Sequence, residues 1–486
     1  MNNEFLHLSH SISNIVPKQA FQKQEIRYNL SSMTRRQRTY LFFTFFFLFT
    51  VSTPLLLLYY AGYRFDFQQR TITQTGALYM KIVPKNASVL VRPSIAEKTD
   101  WLFGTILIDN LLPKSYSVLV EKEGYVPWEK TLGVKAREVT EAKNILLIPQ
   151  LLQTKSLLEG IEKFWVSPNY SFLLLQKSSP QKGRSLSIVD RQKNTENVIW
   201  KNLTGTIASV SWRKDSDAIL IQIKGSAGFS YLLYKAGEDV KELKFFGKDV
   251  DRVEFASSAG SAILLEKPSS KGNSLLLGDY GTQTLSTPFA SPVVNFSMLG
   301  DTLFWIDAKG VLWEKEILSS SLPSPLTTPA SLKAPFALYP TEKGIFLLQG
   351  TSLMLLNKAL QRFEPIQEHV QEFSLSPDGK KIALQKGNEI SLFFLEEDAD
   401  QPKHTKGETV SVATFNDPVS NLAWITSHYL LFSTGNKLNV TEIDTRDKVN
   451  VTELGISFSS PFFWDDKEKT LLLLNAGVLS LSEKLL

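Results

Sequence analysis

The sequence contains no cysteine among its 486 residues. A disulfide framework, a thiolate zinc site and a cysteine nucleophile are therefore excluded. Histidine is scarce as well, since only His7, His10, His369, His404 and His428 occur. No two of them stand at the i, i+4 spacing of a helical metal site, so we expect them to be surface or loop residues.

Motifs of the common enzyme classes are missing too. The chain has no G-x-S-x-G nucleophile elbow, no phosphate-binding loop, no dinucleotide fingerprint and no calcium loop. Carboxylate clusters occur at Asp465-Asp466 and Glu396-Glu397-Asp398, and we expect them to be solvated loop charges. The sequence therefore predicts no catalytic residue, no metal ligand and no cofactor-binding residue.

Basic residues are not in large excess, and their distribution is uneven. The net charge is +4, and residues 1–39 account for all of it with six basic and two acidic side chains. The remaining 447 residues are balanced. A nucleic-acid partner is not expected, because the large part of the chain lacks a basic footprint.

One long segment lacks charge altogether. Residues 40–61 read YLFFTFFFLFTVSTPLLLLYYA, which as a helix would rise about 33 Å and cross a hydrocarbon core of roughly 30 Å. Tyrosines at both ends are typical of membrane interfaces, and a membrane helix tolerates Pro54. We predict a single transmembrane helix over 40–61. A cleaved signal peptide fits less well, because its apolar core is shorter and ends at small residues.

Arginines flank the N-terminal side of this segment. Arg35, Arg36 and Arg38 predict, by the positive-inside rule, that the N-terminus is cytoplasmic and that the domains after the helix lie outside the cytoplasm. The tail, residues 1–39, is polar and is predicted to be mostly disordered. The predicted location is therefore the cell membrane, crossed once.

Residues 76–149 alternate between apolar and polar side chains with the period of half-buried strands. Turn residues interrupt the pattern at Gly104, Pro113-Lys114 and Glu123-Gly124. About six short strands in this length predict a small β-sandwich over residues 70–149. Gly124 supplies a backbone conformation that other residues resist, and Tyr125 and Trp128 are expected to cover the sheet.

The segments VPKNASVLV and GTILIDNLLPKSYSVLVEKEGYVPWEKTL resemble a PEGA domain. The most specific part is Gly124, Tyr125, Pro127 and Trp128, and the matching positions before it are Pro84, Ala87, Gly104, Thr105, Leu112, Pro113 and Tyr116. Lys114 and Ile106 depart from the family pattern, which has Gly and Pro there, and Arg92–Phe103 is longer than the usual hairpin. The resemblance implies a non-catalytic surface module of bacterial and archaeal envelope proteins.

From residue 150 to 486 the sequence repeats weakly, at spacings of about 37–49 residues. The clearest unit is FSLSPDGKKIAL, in which Pro377, Asp378 and Gly379 form a turn between two strands. Similar units begin near eight positions: Phe164, Val210, Val253, Phe296, Phe336, Phe373, Leu422 and Phe462. A period in the low forties with four strands per unit is typical of a β-propeller, with eight blades expected and seven as the alternative.

The two ends of the repeat region are complementary. The last unit stops after its third strand, and Leu151–Leu158 precedes the first unit as an unassigned strand, which predicts that it completes the last blade. The segments Ser319–Pro335 and Glu396–Glu408 are expected to be surface loops. The FSLSPDGKKIAL unit resembles the repeats of TolB-like and WD-type propellers.

Together these features predict a mainly β, membrane-anchored protein of the cell envelope. We expect a non-catalytic binding or scaffold role, with a protein or cell-wall glycan as partner and the membrane held through residues 40–61. Two alternatives remain open. One is an envelope hydrolase with an acid–base pair on the axial face of the propeller, and the other is a ligand sensor that signals to the tail.

Overall fold

The computed structural model describes residues 34–67, 70–93, 95–179, 183–226, 228–258, 260–270, 272–332, 335–457 and 462–486. It consists of two compact units, Met1–Arg64 and Phe65–Leu486. The prediction of a disordered tail falls mostly on residues 1–33, which lie outside the described residues.

In the part of the first unit that the structure describes, residues Arg35–Tyr60 form one long helix, α1. It begins five residues before the predicted segment because Thr34 and Gln37 form a reciprocal capping box at its N-terminus. The helix is long and apolar enough to cross a membrane by length and composition, and it contains Pro54. Thr44 and Thr50 donate their hydroxyl protons to carbonyl oxygens four residues earlier, at 2.8 and 2.7 Å, which satisfies these polar groups without water.

Residues 76–146 form a β-sandwich of two sheets. After β1 (Tyr63–Asp66) and β2 (Thr71–Gln74), the strands are β3 (Gly76–Val83), β4 (Ser88–Val91), β5 (Ile95–Lys98), β6 (Thr105–Leu111), β7 (Ser115–Glu121), β8 (Trp128–Gly133) and β9 (Val139–Leu146). One sheet has the order β6-β3-β9 and the other β5-β4-β7-β8. Leu78, Met80 and Ile82, all 0% exposed, lie in the core between them. The predicted sandwich is confirmed, with seven described strands instead of six.

The second part of the chain forms a β-propeller whose described strands make eight blades of four. Blade 1 contains β11 (Ile161–Val166), β12 (Phe172–Ser179), β13 (Gly183–Asp190) and β14 (Thr195–Trp200), and blade 2 contains β15 (Thr206–Trp212), β16 (Ala218–Gly225), β17 (Gly228–Lys235) and β18 (Lys241–Leu243). Blade 3 contains β19 (Arg252–Phe255), β20 (Ala262–Ser269), β21 (Gly272–Asp279) and β22 (Thr284–Leu285), and blade 4 contains β23 (Ala290–Leu299), β24 (Thr302–Asp307), β25 (Leu312–Glu316) and β26 (Ser324–Pro325).

Blades 5 to 8 continue the same order. Blade 5 contains β27 (Phe336–Thr341), β28 (Gly344–Gln349), β29 (Ser352–Asn357) and β30 (Arg362–Gln367), and blade 6 contains β31 (Glu372–Leu375), β32 (Lys381–Lys386), β33 (Glu389–Phe394) and β34 (Thr409–Thr414). Blade 7 contains β35 (Val419–Thr426), β36 (Tyr429–Thr434), β37 (Lys437–Glu442) and β38 (Val451–Ser457), and blade 8 contains β39 (Phe462–Asp465), β40 (Thr470–Asn475), β41 (Val478–Ser482) and, as its fourth strand, β10 (Thr154–Glu159). All eight predicted repeat positions fall in first strands, so the eight-blade prediction is confirmed.

The ring is closed by the strand before the first repeat, as the sequence predicts, and this strand runs from Thr154 to Glu159. β10 pairs antiparallel with β41 and supplies the fourth strand of blade 8. Blades 3 and 4 are also linked through backbone pairing, because the first residues of β23 pair with β21 beyond the two-residue β22. Pairing in this way removes free strand edges at both places.

A separate hydrophobic cluster lies at each junction between neighbouring blades. Within the described residues there are eight such clusters, and the one that joins blade 8 to blade 1 includes Phe164 and Leu472. Each blade therefore buries its two apolar faces against its neighbours, which is why the repeats must close into a ring.

The propeller has two faces, defined by its connections. Antiparallel order places the connections between first and second strands, and between third and fourth strands, at one edge of every blade. We call this edge the docked face, because the sandwich contacts it. The remaining connections form the opposite edge, which we call the free face.

Candidate functional site

The predicted Gly-Tyr-x-Pro-Trp motif lies in the sandwich where β7 turns into β8. Gly124 has φ +82°, a left-handed conformation that favours glycine. Tyr125 is half-buried and packs against the sandwich core, and Pro127 precedes the strand. Trp128 is only 3% exposed, so it has no free face for stacking on a sugar ring.

Trp128 connects the sandwich to the propeller. Its indole Nε1–H donates to Glu442 Oε2 in blade 7 at 2.8 Å. Two residues on, Lys130 is completely buried and its Nζ lies 2.7 Å from Glu442 Oε1. Lys130 Nζ also donates to the Asp444 carbonyl oxygen at 2.5 Å. Glu442 is 3% exposed, so a fully desolvated ion pair joins the two domains.

One edge strand of each sandwich sheet is capped by side chains of the docked face. The Thr131 N–H of edge strand β8 donates to Asp447 Oδ2 at 2.8 Å, which holds the pKa of Asp447 below its usual range. On edge strand β9, the Glu141 N–H donates to Gln401 Oε1 at 3.0 Å, and Arg446 donates to the Glu141 carbonyl oxygen at 2.9 Å. The propeller thereby replaces the neighbour strand that an exposed edge would otherwise attract.

The chain itself forms the third part of this contact. Leu146, Ile148 and Leu152 leave the sandwich and enter the hydrophobic cluster between blades 7 and 8. The Leu146 N–H donates to the hydroxyl of Tyr429 at 2.9 Å, and burial raises the pKa of Tyr429 well above its ordinary value. We call the whole contact the seam: Trp128, Lys130, Glu442 and Asp444 at its centre, with the edge caps and this apolar segment around them.

The predicted turn Pro377-Asp378-Gly379 joins β31 and β32, and Gly379 has φ +67°. Asp378 accepts hydrogen bonds from Ser376 Oγ at 2.6 Å and from Lys381 Nζ at 3.1 Å. Burial works to raise the pKa of Asp378, but these partners outweigh it and lower the pKa. The turn is therefore tied to blade 6 through its carboxylate and is not merely a solvent-facing loop.

The interpretation of Glu396-Glu397-Asp398 as solvated charge is wrong for Asp398. This residue is 4% exposed and lies 2.8 Å from Nζ of the fully buried Lys381. The segment Glu396–Glu408 is accordingly not a plain surface loop, because it also carries Gln401 to the sandwich edge. The sequence pattern indicated that the segment is polar, but it did not indicate that a buried lysine, Lys381, binds Asp398.

A small cavity lies beside these groups, between the sandwich and blades 6 and 7. It is lined by Trp128, Asp398, His404, His428 and Glu442 among others, and its free volume is about 40 Å³. That space suits a few water molecules and is far below the 300 Å³ or more of a typical ligand pocket. Burial and the nearby Lys381 ammonium lower the pKa of His428, which favours its neutral form.

Asp465 also departs from the prediction of a solvated carboxylate pair. It is 0% exposed and lies 2.6 Å from the Arg191 guanidinium of blade 1, whereas its neighbour Asp466 is an exposed partner of Lys469. Arg191 further donates to the Tyr170 carbonyl oxygen at 2.8 Å. The ring closure is thus supported by a buried ion pair in addition to the β10–β41 pairing.

Three carboxylates on the first strands, which line the propeller axis, have hydrogen-bond or ion-pair partners nearby. Glu162 accepts from Gln176, Glu254 pairs with Arg252, and Glu372 accepts backbone N–H groups of Leu422 and Asn421. Burial nevertheless raises the pKa of Glu372. In the described part of the chain, no group of three or more histidine and acidic residues is arranged to hold a metal ion.

The predicted topogenic residues Arg35, Arg36 and Arg38 lie in the first turn and a half of α1, and all three are exposed. Their assigned role in orientation stays a prediction. The residues that sequence reasoning missed are Lys130, Glu442 and Arg191. One signal was available: Trp128, Lys130 and Leu132 alternate onto the same inward face of β8, so a lysine there needed a buried partner.

Comparisons with known proteins add little beyond this geometry. No protein-family model matches the chain, and no curated protein matches its sequence. Among solved structures, the C-terminal WD40 domain of Sif2 aligns with a TM-score of 0.46 at 11% identity, covering 68% of this chain and 99% of that one. A computationally designed protein, Ika8, aligns with a TM-score of 0.43 at 10% identity, covering 68% and 98%. The strand order itself, rather than these likenesses, defines the class as a β-propeller carrying a β-sandwich on one face.

Proposed function

We propose that this chain is a single-pass, membrane-anchored scaffold of the cell envelope that binds a protein partner through the free face of its propeller. The observation that carries the proposal is the seam. The sandwich occupies the docked face at blades 6 and 7 with a buried ion pair and shared apolar core, so the propeller is held in a fixed orientation on its neighbour. A fixed disc presents its opposite face, which suits recognition of a partner rather than chemistry.

We further propose that the sandwich is a PEGA-like module that serves as the spacer between the membrane helix and the propeller. Its two-sheet core and the Gly124–Trp128 turn support this assignment. A protein partner is favoured over a glycan, because the one aromatic residue of the motif best suited to stack on a sugar, Trp128, is buried against blade 7.

The proposed topology is testable with single cysteines, because the native chain has none. In the full-length protein, Ser320→Cys lies in an exposed loop of blade 4 and Ser13→Cys lies in the tail. A membrane-impermeant maleimide is expected to label residue 320 in intact spheroplasts and residue 13 only after permeabilisation. Labelling in the reverse order would contradict the extracytoplasmic assignment.

The orientation should depend on the three arginines. Replacing Arg35, Arg36 and Arg38 together with glutamine is expected to lower the labelled fraction at residue 320, because the positive-inside signal is removed. The control replaces three exposed basic residues of the propeller, Lys309, Lys358 and Lys467, with glutamine and should leave labelling unchanged.

A further inference from the structure

The sandwich carries an exposed apolar loop whose shape is fixed but whose side chains are unburied. Trp101, Leu102 and Phe103 follow β5 and are 76%, 47% and 65% exposed. They are consecutive, so they form one continuous apolar tip rather than scattered surface residues. Val83, 41% exposed, lines the groove beside Leu102 and Phe103 and extends the patch. We call Trp101–Phe103 with Val83 the apolar tip.

The backbone under the apolar tip is strongly held. Asp100 accepts the N–H groups of Leu102 at 2.9 Å, Phe103 at 2.5 Å and Thr105 at 2.6 Å. The Thr105 hydroxyl also donates to Asp100, and this bond together with the three N–H groups holds the pKa of Asp100 well below its usual range. Gly104 has φ +71°, and a Cβ there would lie 2.4 Å from the Ile82 carbonyl oxygen. The loop is therefore built to present three large apolar side chains to the outside.

Lysines surround the apolar tip. Lys81, Lys85 and Lys122 line the same groove as Val83, Leu102 and Phe103. Lys122 Nζ donates to the Lys85 carbonyl oxygen, which holds its charge next to the tip. Apolar and aromatic residues set among lysines match the interfacial region of a bilayer that contains anionic phospholipids, where tryptophan and lysine are both favoured.

The position of the tip in the chain points to the same occupant. Residues 61–75 connect the end of α1 to β3, and even a fully extended chain of that length spans only about 50 Å. The sandwich therefore stays near any membrane that α1 crosses. Phe65 and Phe67, 48% and 84% exposed, add apolar side chains within seven residues of the helix end.

We propose that the apolar tip inserts into the interfacial region of the bilayer that anchors the chain, with Lys81, Lys85 and Lys122 against anionic lipid headgroups. This inference rests on the membrane anchor of the proposed function. Docking at this second point would fix the tilt of the sandwich, and through the seam that of the propeller, relative to the membrane surface.

The test uses full-length protein in vesicles, with a single cysteine carrying an environment-sensitive NBD dye. Leu102→Cys reports the tip, Leu322→Cys is the matched control because Leu322 is an 87% exposed leucine of the propeller, and Leu48→Cys reports the anchor. In vesicles that contain phosphatidylglycerol and nitroxide-labelled lipid, residue 102 is expected to show blue-shifted emission and strong quenching, and residue 322 neither.

The lysines are tested in the same vesicles. Replacing Lys81, Lys85 and Lys122 with glutamine is expected to lower the docked-to-undocked ratio of the tip about fivefold for each lysine removed. Trp101→Ser with Phe103→Ser should abolish quenching at residue 102 while leaving the unfolding temperature unchanged, since both side chains are exposed.

Quenching at residue 102 no greater than at residue 322 would overturn the docking proposal. The anchor is judged separately. Quenching at residue 48 without quenching at residue 102 would contradict the docking of the tip and leave the proposed membrane helix standing. A water-exposed residue 48 would contradict the proposed membrane helix. In that case quenching at residue 102 still decides whether the tip binds lipid.

Discussion

Replacing Glu442 with alanine is expected to lower the free energy of unfolding of the Phe65–Leu486 unit by about 3–5 kcal/mol, the range for removing one partner of a buried ion pair. Lys130 would lose its closest carboxylate partner in a site with no exposure and retain mainly the Asp444 oxygens. The Trp128 indole N–H and the Asn450 backbone N–H would lose their acceptor as well, and Asn450 Nδ2 would keep the Glu129 carbonyl oxygen at 3.3 Å. Thermal and urea-induced unfolding followed by circular dichroism measures the effect.

Blade 7 provides a matched control for this substitution. Glu453 on β38 pairs with Lys437 at 2.9 Å, but 48% of the Glu453 side chain and 57% of the Lys437 side chain are exposed. Glu453→Ala is therefore expected to leave stability almost unchanged. If Glu442→Ala were as stable as Glu453→Ala, the buried ion pair would not hold the sandwich, and the orientation of the propeller would rest on the edge caps and the apolar segment alone.

Replacing Asp465 with alanine is expected to destabilise the propeller by about 3–5 kcal/mol for the same physical reason. Its carboxylate is fully buried and neutralises Arg191 across the junction where blade 8 meets blade 1. It also accepts the Lys467 and Glu468 N–H groups of the following turn, at 3.2 and 3.0 Å. Asp465→Asn should recover part of the loss, because the amide oxygen can still accept the turn hydrogen bonds. Unfolding in urea compares the three proteins.

The neighbouring residue gives the control. Asp466 is 58% exposed and pairs with Lys469, 36% exposed, so Asp466→Ala is expected to have little effect. Equal stability of the two alanine variants would mean that the Asp465–Arg191 pair contributes nothing to ring closure, leaving the β10–β41 pairing and the apolar cluster of blades 8 and 1 to hold it.

Sequence patterns were sufficient for the architecture because the architecture depends on apolar periodicity. The inward positions Leu78, Met80 and Ile82 alternate along β3, and the repeat places an aromatic or aliphatic residue in every first strand of the propeller. The closure strand was predictable for a similar reason, since a last unit lacking its fourth strand leaves an edge that Leu151–Leu158 can cover.

The charged contacts could not be predicted because a charged residue in a turn looks the same whether its partner is water or a buried cation. Asp465 and Asp466 are adjacent and chemically identical, yet only the first faces Arg191, which lies 274 residues earlier in the chain. Asp398 likewise depends on Lys381, the first residue of a strand whose next three residues are apolar. Such pairs are defined by tertiary contacts alone.

The seam was invisible for a further reason, which is that it joins two domains. The motif predicts that Trp128 covers the sandwich sheet, but the acceptor of its indole N–H, Glu442, lies in blade 7. Interfaces between domains are usually more polar and less fixed than cores. Here the buried Lys130–Glu442 pair and the apolar segment Leu146–Leu152 make the contact resemble a core.

The central claim, that the free face of the propeller binds the partner, is tested most directly by site-specific photocrosslinking in the full-length protein in its own membrane. A photoreactive residue at Thr351 or Asn436 probes exposed turns of the free face, and one at Lys358 or Lys467 probes exposed turns of the docked face outside the seam. The account predicts a discrete protein adduct from the two free-face sites and none from the other two. An adduct from the docked-face sites alone would contradict it.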